Sequence, residues 1–459
     1  MANQIISTIR TTQVSLADSD VVTVLAGLSV SNTAGSGIVS TGSNGSNAVF
    51  AYGMVASSAT AIALGSATAT QNFVYVGADG AVNGAANAIV LTGSRHRIEN
   101  RGDITANQDA IFLSGAASEN NIVNYGSIYG SDTGITNTGT GSIGVLTTNF
   151  GTITGFRAAY DATASNNQSI ITNRGSIIGD ILTGASNDIV NNYGTVDGDI
   201  NLGVNGDRLT NSGTIIGDVY LGDGADTFRS TGAGGVEGEV YGGNGFDYFY
   251  LGAGEDIIYG GADQDFLVFD NQPGLRIALD GSFENTGVAK GDYYREVEGV
   301  FGSLKGADFI KGDAQANVFY GNGGADTLYG GANADTLSGG SGKDVLFGGF
   351  GDDVFYFYSP SEGGDKINDF SNVVGNNDRF EISIEELASA GIISAGPLAS
   401  NALYRGTTNI CTGAEDRIIV RTTDNTVWFD SNGRAADGLT MLADLQAGVT
   451  LTFADFFFV

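Results

Sequence analysis

Six positions set nine residues apart, Asp308, Asn317, Asp326, Asp335, Asp344 and Asp353, constrain this chain more than any other feature. Around them the sequence reads GNGGADTL, GGANADTL, GGSGKDVL and GGFGDDVF, a glycine turn followed by an acid and a large apolar residue. An earlier array, with Asp247, Asp256 and Asp265 at the same interval, reads GGNGFDYF, LGAGEDII and GGADQDFL. A unit this short holds one strand and cannot bury its own apolar face, so copies must stack. If two units make one coil, acids 18 residues apart lie one above another at about 4.8 Å, the interstrand spacing.

A second repeat precedes the first. Asn-x-Gly-x-Ile/Val recurs at Asn100, Asn124, Asn149, Asn173, Asn192 and Asn211, at intervals of 24, 25, 24, 19 and 19 residues. Matching apolar strands, AIVLTG from Ala88 and AIFLSG from Ala110, lie 22 residues apart. These spacings predict a parallel β-solenoid (β-helix) of 19–25 residue rungs, with Ile and Val inside, Gly at left-handed corners and Asn laddering along an edge. Proline, which would remove a ladder donor, is absent before Pro273.

Composition removes several chemistries. One Cys and one His (His96) exclude an intramolecular disulfide, a thiolate cage and an HExxH zinc site. No GxSxG elbow occurs. The net charge of −31 is uneven: residues 1–175 hold nine acids and six bases, residues 176–459 hold 42 acids and 14 bases. Such a polyanion does not bind nucleic acid or anionic lipid, which need a basic face. The first twenty residues lack the basic and apolar regions of a secretory signal peptide. The uncharged stretch from Ala48 to Ala69 is too rich in Ala, Ser, Thr and Gly for a membrane span, so no transmembrane segment is expected.

Stacked bare carboxylates repel. At an effective dielectric near 20, two unit charges about 4.8 Å apart cost roughly 3.5 kcal/mol. A divalent cation between successive turns reverses that sign, and calcium (Ca2+) suits oxygen-only turns because it accepts six to eight oxygens at flexible geometry.

The motif GGxGxDx followed by a large apolar residue resembles the calcium-binding nonapeptide of RTX (repeats-in-toxin) hemolysin-type secreted proteins, over about residues 241–355. The resemblance implies calcium-binding parallel β-rolls. It implies as calcium ligands Asp247, Asp256, Asp265, Asp308, Asp326, Asp335, Asp344 and Asp353, together with turn carbonyls. The pairs sharing an ion would be Asp247 with Asp265, Asp308 with Asp326, Asp326 with Asp344, and Asp335 with Asp353. Asn317 replaces one acid, Asn322, Asn333 and Asp263 replace turn glycines, and the Asp256 repeat lacks one. The two repeat systems also merge, since Asp188, Asp207, Asp226 and Asp247 recur at 19, 19 and 21 residues. Calcium binding at this mixed edge is left open by the sequence. The Asp188 turn, GASND, has incomplete glycines, so its loss should matter less than that of Asp344.

The expected organisation is all-β. Residues 1–80 start or cap the solenoid, 81–240 continue it, 241–270 form a first β-roll, 271–300 are an excursion containing Pro273, 301–356 form a second roll, and 357–459 form a small β-rich cap with a secretion signal. VFYFYSPSEGGDKINDF and its continuation resemble the closing segment of serralysin-like exoproteins, and Ser383 with Glu386, before Leu387, reads as a capping box. The terminus, Asp455 followed by Phe456, Phe457, Phe458 and Val459, resembles the uncleaved signal read by a type I secretion apparatus.

Arg101-Gly102-Asp103 spells RGD but is one instance of the Asn-x-Gly-x-Ile repeat. Arg95, His96, Arg97, Glu99 and Arg101 form the one basic cluster, read as an exposed rung, and Cys411 reads as a small buried residue or an idle thiol. The function expected is a secreted calcium-binding RTX protein, extracellular or cell-surface associated, with a structural or adhesive role and a cell-surface or polysaccharide ligand. An extracellular polysaccharide lyase, with Arg95 or Arg97 at the floor of an acidic cleft, and a surface-layer component are the alternatives.

Overall fold

The computed structural model describes residues 2–40, 46–116, 119–141, 144–232, 234–269, 271–383, 395–408, 417–431 and 438–459. They form two compact units, Met1–Tyr248 with Asp256–Asp263, and Phe249–Glu255 with Gln264–Val459. Among the described residues there is no α-helix, only strands and three short 3-10 turns. No helix there is long and apolar enough to cross a membrane.

Each coil of the first unit makes three strands. One coil runs Arg97–Asn100, Asp103–Ala106 and Ile111–Ser114, and the next runs Asn121–Asn124, Ser127–Gly130 and Thr133–Asn137. Each strand pairs in parallel with its counterpart one coil away. Because register is kept, like side chains stack: Ile104, Ile128, Ile153, Ile177, Val196 and Ile215 form one interior column, each at most 2% exposed. Burying each such side chain contributes about 1.5–3 kcal/mol. The uncharged stretch from Ala48 folds as strands Ala48–Ala51, Met54–Ser57 and Ile62–Thr70 of one early coil. Later coils are shorter between the start of the third strand and the next coil, a run from Thr133 to Val145 in one early coil but only from Ile181 to Ile189 and from Ile200 to Arg208 in later ones.

The repeated asparagines build the corner between the first two strands. Asn100 Nδ2 donates to Asn124 Oδ1 at 2.8 Å, Asn124 to Asn149 at 2.8 Å, Asn149 to Asn173, Asn173 to Asn192 and Asn192 to Asn211 at 2.9 Å. All six are fully buried. The glycine two residues on is required by contact, not by dihedral angle: a Cβ on Gly126, Gly151, Gly175, Gly194 or Gly213 would strike the carbonyl oxygen of the glycine one coil below.

In the second unit each coil makes two strands, one in each of two facing sheets. One sheet stacks Phe266–Val268, Gly299–Phe301, Val318–Tyr320, Thr336–Ser338, Val354–Phe357, Arg379–Ile382 and Phe456–Phe458 in parallel. The other stacks Arg276–Ala278, Phe309–Lys311, Thr327–Ala332, Val345–Phe350, Asp365–Ile367 and Leu439–Leu445. Val300, Phe319, Leu337, Phe355, Phe380 and Phe456 face Ile277, Ile310, Leu328, Leu346 and Ile367 in a closed interior. The segment 271–300 therefore contributes strands to the roll, because Ile277 and Val300 occupy interior positions. Antiparallel strands Ile418–Arg421, Thr426–Asp430 and Leu439–Leu445 cover the far end. Glu386 and Leu387 of the expected capping box lie outside the described residues, as does Cys411. The capping boxes observed are Ser359 with Glu362 and Thr452 with Asp455.

The asparagine ladder yields a direct expectation. Asn149→Ala removes the acceptor of Asn124 Nδ2 and the buried donor to Asn173 Oδ1 and the Ser176 carbonyl and should cost about 2–3 kcal/mol. Asp103→Ala, at an exposed strand position, should cost no more than about 0.5 kcal/mol. Urea unfolding of both variants in calcium measures the difference, and equal midpoints would remove the ladder from the account of stability.

Candidate metal centre

The acids of the second unit sit where each glycine turn enters a strand, and pairing one coil on holds them in two columns. Within one column Asp308 N–H donates to Asp326 Oδ1 at 2.8 Å, Asp326 to Asp344 at 2.7 Å and Asp344 to Asp365 at 3.0 Å. Within the other, Asn317 N–H donates to Asp335 Oδ1 at 2.7 Å, Asp335 to Asp353 at 2.9 Å and Asp353 to Asp378 at 3.1 Å. Three of the expected pairs, Asp308 with Asp326, Asp326 with Asp344, and Asp335 with Asp353, are thus neighbours, joined by a backbone amide.

One oxygen of each carboxylate is fixed in this way, and the other is not. Oδ2 of Asp326, Asp335 and Asp353 is buried without a hydrogen-bond partner. Oδ2 of Asp344 and of Asp365 is likewise buried without a hydrogen-bond partner, and burial raises both carboxyls above the usual carboxylate range. Burial, with the neighbouring carboxylates, pushes Asp326 and Asp335 up to about 7 and Asp353 to about 6. An ionised carboxylate here has lost water and gained like-charged neighbours.

These oxygens line cradles over glycine. A Cβ on Gly321 would meet Asp326 Oδ2 and lie 2.6 Å from the Gly339 carbonyl oxygen; one on Gly330 would meet Asp335 Oδ2 and lie 2.6 Å from the Gly348 carbonyl oxygen. Gly339 and Gly348 stand in the same relation to Asp344 and Asp353 Oδ2. At Gly321 and Gly330 the cradle joins a carboxylate to a carbonyl one coil later. Among the described residues no three Asp, Glu, His or Cys side chains converge, so a cation in these cradles would draw on one or two carboxylates and on main-chain carbonyls. That all-oxygen set fits Ca2+, which tolerates irregular geometry, better than Mg²⁺.

Not every expected ligand has this character. Asp308, at the start of its column, accepts an amide on each oxygen, Leu275 N–H on Oδ1 at 2.9 Å and Ser303 N–H on Oδ2 at 2.7 Å. Asp256 belongs to the first unit and Asp265 to the second. Both are buried; burial pushes Asp256 up to about 6, and Asp265 N–H donates to Glu298 Oε2 at 3.1 Å. Asp247 accepts the Asp226 N–H at 2.9 Å, and burial pushes it to about 6. Asp365 and Asp378 were not found from the sequence, because the intervals from Asp344 and Asp353 lengthen to 21 and 25 residues. Asp369, which accepts N–H groups of Gly348 and Gly349 at 3.0 Å, has no periodic signal at all.

The first unit carries a column of its own, which passes from amide to acid. Asp20 N–H donates to Asn47, Asn47 to Asn72, Asn72 to His96 Nδ1 at 3.1 Å and His96 to Asn120. Further along, Asp188 N–H donates to Asp207, Asp207 to Asp226 and Asp226 to Asp247. His96 is therefore no part of a basic cluster: it is 1% exposed, its Nε2 donates to the Thr92 carbonyl, and burial lowers its pKa. The neighbouring arginines point outward, Arg95 to Glu119 at 2.7 Å, and Arg97 and Arg101 to Glu99 at 2.8 and 3.0 Å. Arg95 and Arg97 side chains are 57% and 56% exposed, which corrects the expectation of a cleft with either at its floor. Asp188 also departs from expectation. It is 1% exposed with both oxygens occupied, so its removal orphans two buried N–H groups at about 1–3 kcal/mol each.

The raised carboxyl values set the pH dependence of the metal-free fold. They lie above the ordinary value of 3.8, so protonation stabilises the folded state. That contribution is complete below about pH 4 and is lost as the pH rises through about 6 to 8, the values of Asp353 and Asp207. Circular dichroism of calcium-stripped protein should show β structure at pH 5 that fades between pH 6 and 8 and returns with millimolar calcium. A spectrum indifferent to pH and calcium would contradict the electrostatic account.

Residues 239–267, 304–337 and 329–357 match the family described as the RTX calcium-binding nonapeptide repeat. No curated protein shows significant similarity to the chain. The matched residues include the Asp326, Asp335, Asp344 and Asp353 turns and the Asp247 to Asp265 segment. The chain carries RTX calcium-binding nonapeptide repeats, set in parallel β-structure, and these repeats bind calcium.

Proposed function

We propose that this is a secreted RTX protein that completes its fold on calcium outside the producing cell and has a structural or adhesive role there, with the column aspartates and stacked turn carbonyls as the calcium ligands. The observation that carries this reading is the buried second oxygen of Asp326, Asp335 and Asp353, each over a glycine cradle. Bound calcium supplies positive charge and a shell of six to eight oxygens at such a place. The protein's own part is to hold each carboxylate by one oxygen against the next coil and to exclude water from the other.

Export before folding follows from the same charge. At the low calcium of a cell interior the acidic half, with 42 acids against 14 bases, repels itself and stays unfolded. The terminal segment supports this order. Phe456–Phe458 pairs with Phe380–Ile382, Phe456 and Phe458 are buried, and Asp455 Oδ2 accepts the Thr452 N–H and hydroxyl. A type I secretion apparatus can read this segment only before it is built into the cap.

Two outcomes are expected. In calcium-free buffer at pH 7.5, hydrogen exchange should show protected amides in the early coils, laddered from Asn100 to Asn173, and little protection beyond about residue 176. Protection there should appear cooperatively as calcium reaches about 10⁻⁴–10⁻³ M, the range of extracellular modules; equal protection with and without calcium would defeat the folding claim. Deleting Asp455 to Val459 should leave the chain inside a producing cell equipped with a type I apparatus, while the purified chain still takes up calcium through its repeats. Normal export of the truncated chain would place the address elsewhere.

A further inference from the structure

The calcium turns of the second unit have a backbone signature. In three of them the residues four and two before the acid are left-handed: Asn322 and Gly324 at φ 68° and 143° before Asp326, Gly331 and Asn333 at 126° and 69° before Asp335, Gly349 and Gly351 at 104° and 138° before Asp353; before Asp344 only Gly340, at 83°, is. Gly and Asn adopt this region at least cost. Their carbonyls stack, since a Cβ on Gly349 would strike the Gly331 oxygen and one on Gly351 the Asn333 oxygen.

The first unit repeats this arrangement outside the residues matched to the nonapeptide. Gly203 and Asn205 have φ 99° and 80° before Asp207, and Gly222 and Gly224 have φ 118° and 154° before Asp226. A Cβ on Gly222 would strike the Gly203 oxygen, and one on Gly224 the Asn205 oxygen. Asp207 and Asp226 are 2% and 0% exposed. Their Oδ1 atoms accept the N–H groups of Asp188 and Asp207, each at 2.6 Å, and their Oδ2 atoms are buried with no hydrogen-bond partner.

Asp188, one coil earlier, is built differently. Gly184 and Ser186 stand at the two turn positions, and neither is left-handed. Gly184 N–H instead turns inward to donate to Asp188 Oδ2 at 3.1 Å, while Ser169 N–H occupies Oδ1 at 2.5 Å. Both oxygens of Asp188 thus already have an amide donor, whereas Oδ2 of Asp207 and of Asp226 has none.

We propose that calcium binding extends into the 19-residue coils of the solenoid, at the turns 203–207 and 222–226 with Asp207 and Asp226 as carboxylate ligands, and that the series stops at Asp188. This rests on the reading that the nonapeptide turns themselves hold calcium. The ligand class is a hard divalent cation bound by carboxylate and carbonyl oxygens. The function of Asp188 is then to end the ion series with two hydrogen bonds.

The test is calcium stoichiometry of the full chain at pH 7.5, by equilibrium dialysis in millimolar calcium with atomic emission. Asn keeps the Oδ1 acceptor that each column amide needs, so Asp207→Asn with Asp226→Asn removes charge without breaking the ladder. The double variant should bind one or two fewer ions per chain than the parent, and Asp188→Asn should bind the same number as the parent. An unchanged count in the double variant overturns the proposal. A parent chain that binds no calcium overturns the nonapeptide reading as well, so the two failures are distinguishable. If the double variant loses its β spectrum in calcium, the single Asp226→Asn variant decides by the same count, together with calcium-dependent exchange protection of residues 199–226. Protection unchanged by Asp226→Asn, with an unchanged ion count, likewise overturns it.

Discussion

A backbone amide that donates to the side-chain oxygen of the residue one coil later is the contact on which both units depend. Parallel stacking leaves the first amide of each strand without a strand partner, and the acceptor at that corner decides the chemistry of the coil. Where the acceptor is Asn47, Asn72 or Asn120, the column accepts the same amides without adding charge, although Nδ2 of Asn72 and Asn120 is buried without an acceptor. Where it is Asp326, Asp335 or Asp353, each coil adds a buried charge whose second oxygen faces no donor. The same hydrogen bond that fixes the coil thus creates the demand for a proton or a cation.

That demand explains why the acids fall into two kinds. Asp188, Asp308 and Asp378 each have a second amide, from Gly184, Ser303 and Ser371, on the free oxygen. Interior members of the columns lack it. At Asp188, Asp308 and Asp378 both carboxylate oxygens accept amides, whereas Asp326, Asp335 and Asp353 keep a buried oxygen without a donor. Protons and calcium compete for those oxygens, so acid pH and extracellular calcium are alternative ways of neutralising one stack.

Much of this was legible in the sequence because stacking converts position in the repeat directly into position in space. The nine-residue period placed Asp326, Asp335, Asp344 and Asp353 in two columns, and the Asn-x-Gly-x-Ile unit announced the ladder from Asn100 to Asn211. Where a loop lengthens, the period fails although the column continues, which hid Asp365 and Asp378 behind the segments after Phe357 and Asp369. His96 was read as a cation because its neighbours are arginines, yet its register puts it in a column of amide acceptors. The weight of Asp188 was misjudged for a related reason: motif spacing locates a carboxylate but does not reveal which amides reach it. Left-handed residues four and two before the acid carry more of that information than the glycine count.

The central claim is that cations neutralise the buried column carboxylates, and the most direct measurement is an anomalous difference map from crystals grown in calcium. Peaks are expected within about 2.3–2.6 Å, the calcium–oxygen distance, of Oδ2 of Asp326, Asp335 and Asp353, in contact with turn carbonyls. A map without such peaks, with those oxygens bound instead by water or protein donors, would contradict it.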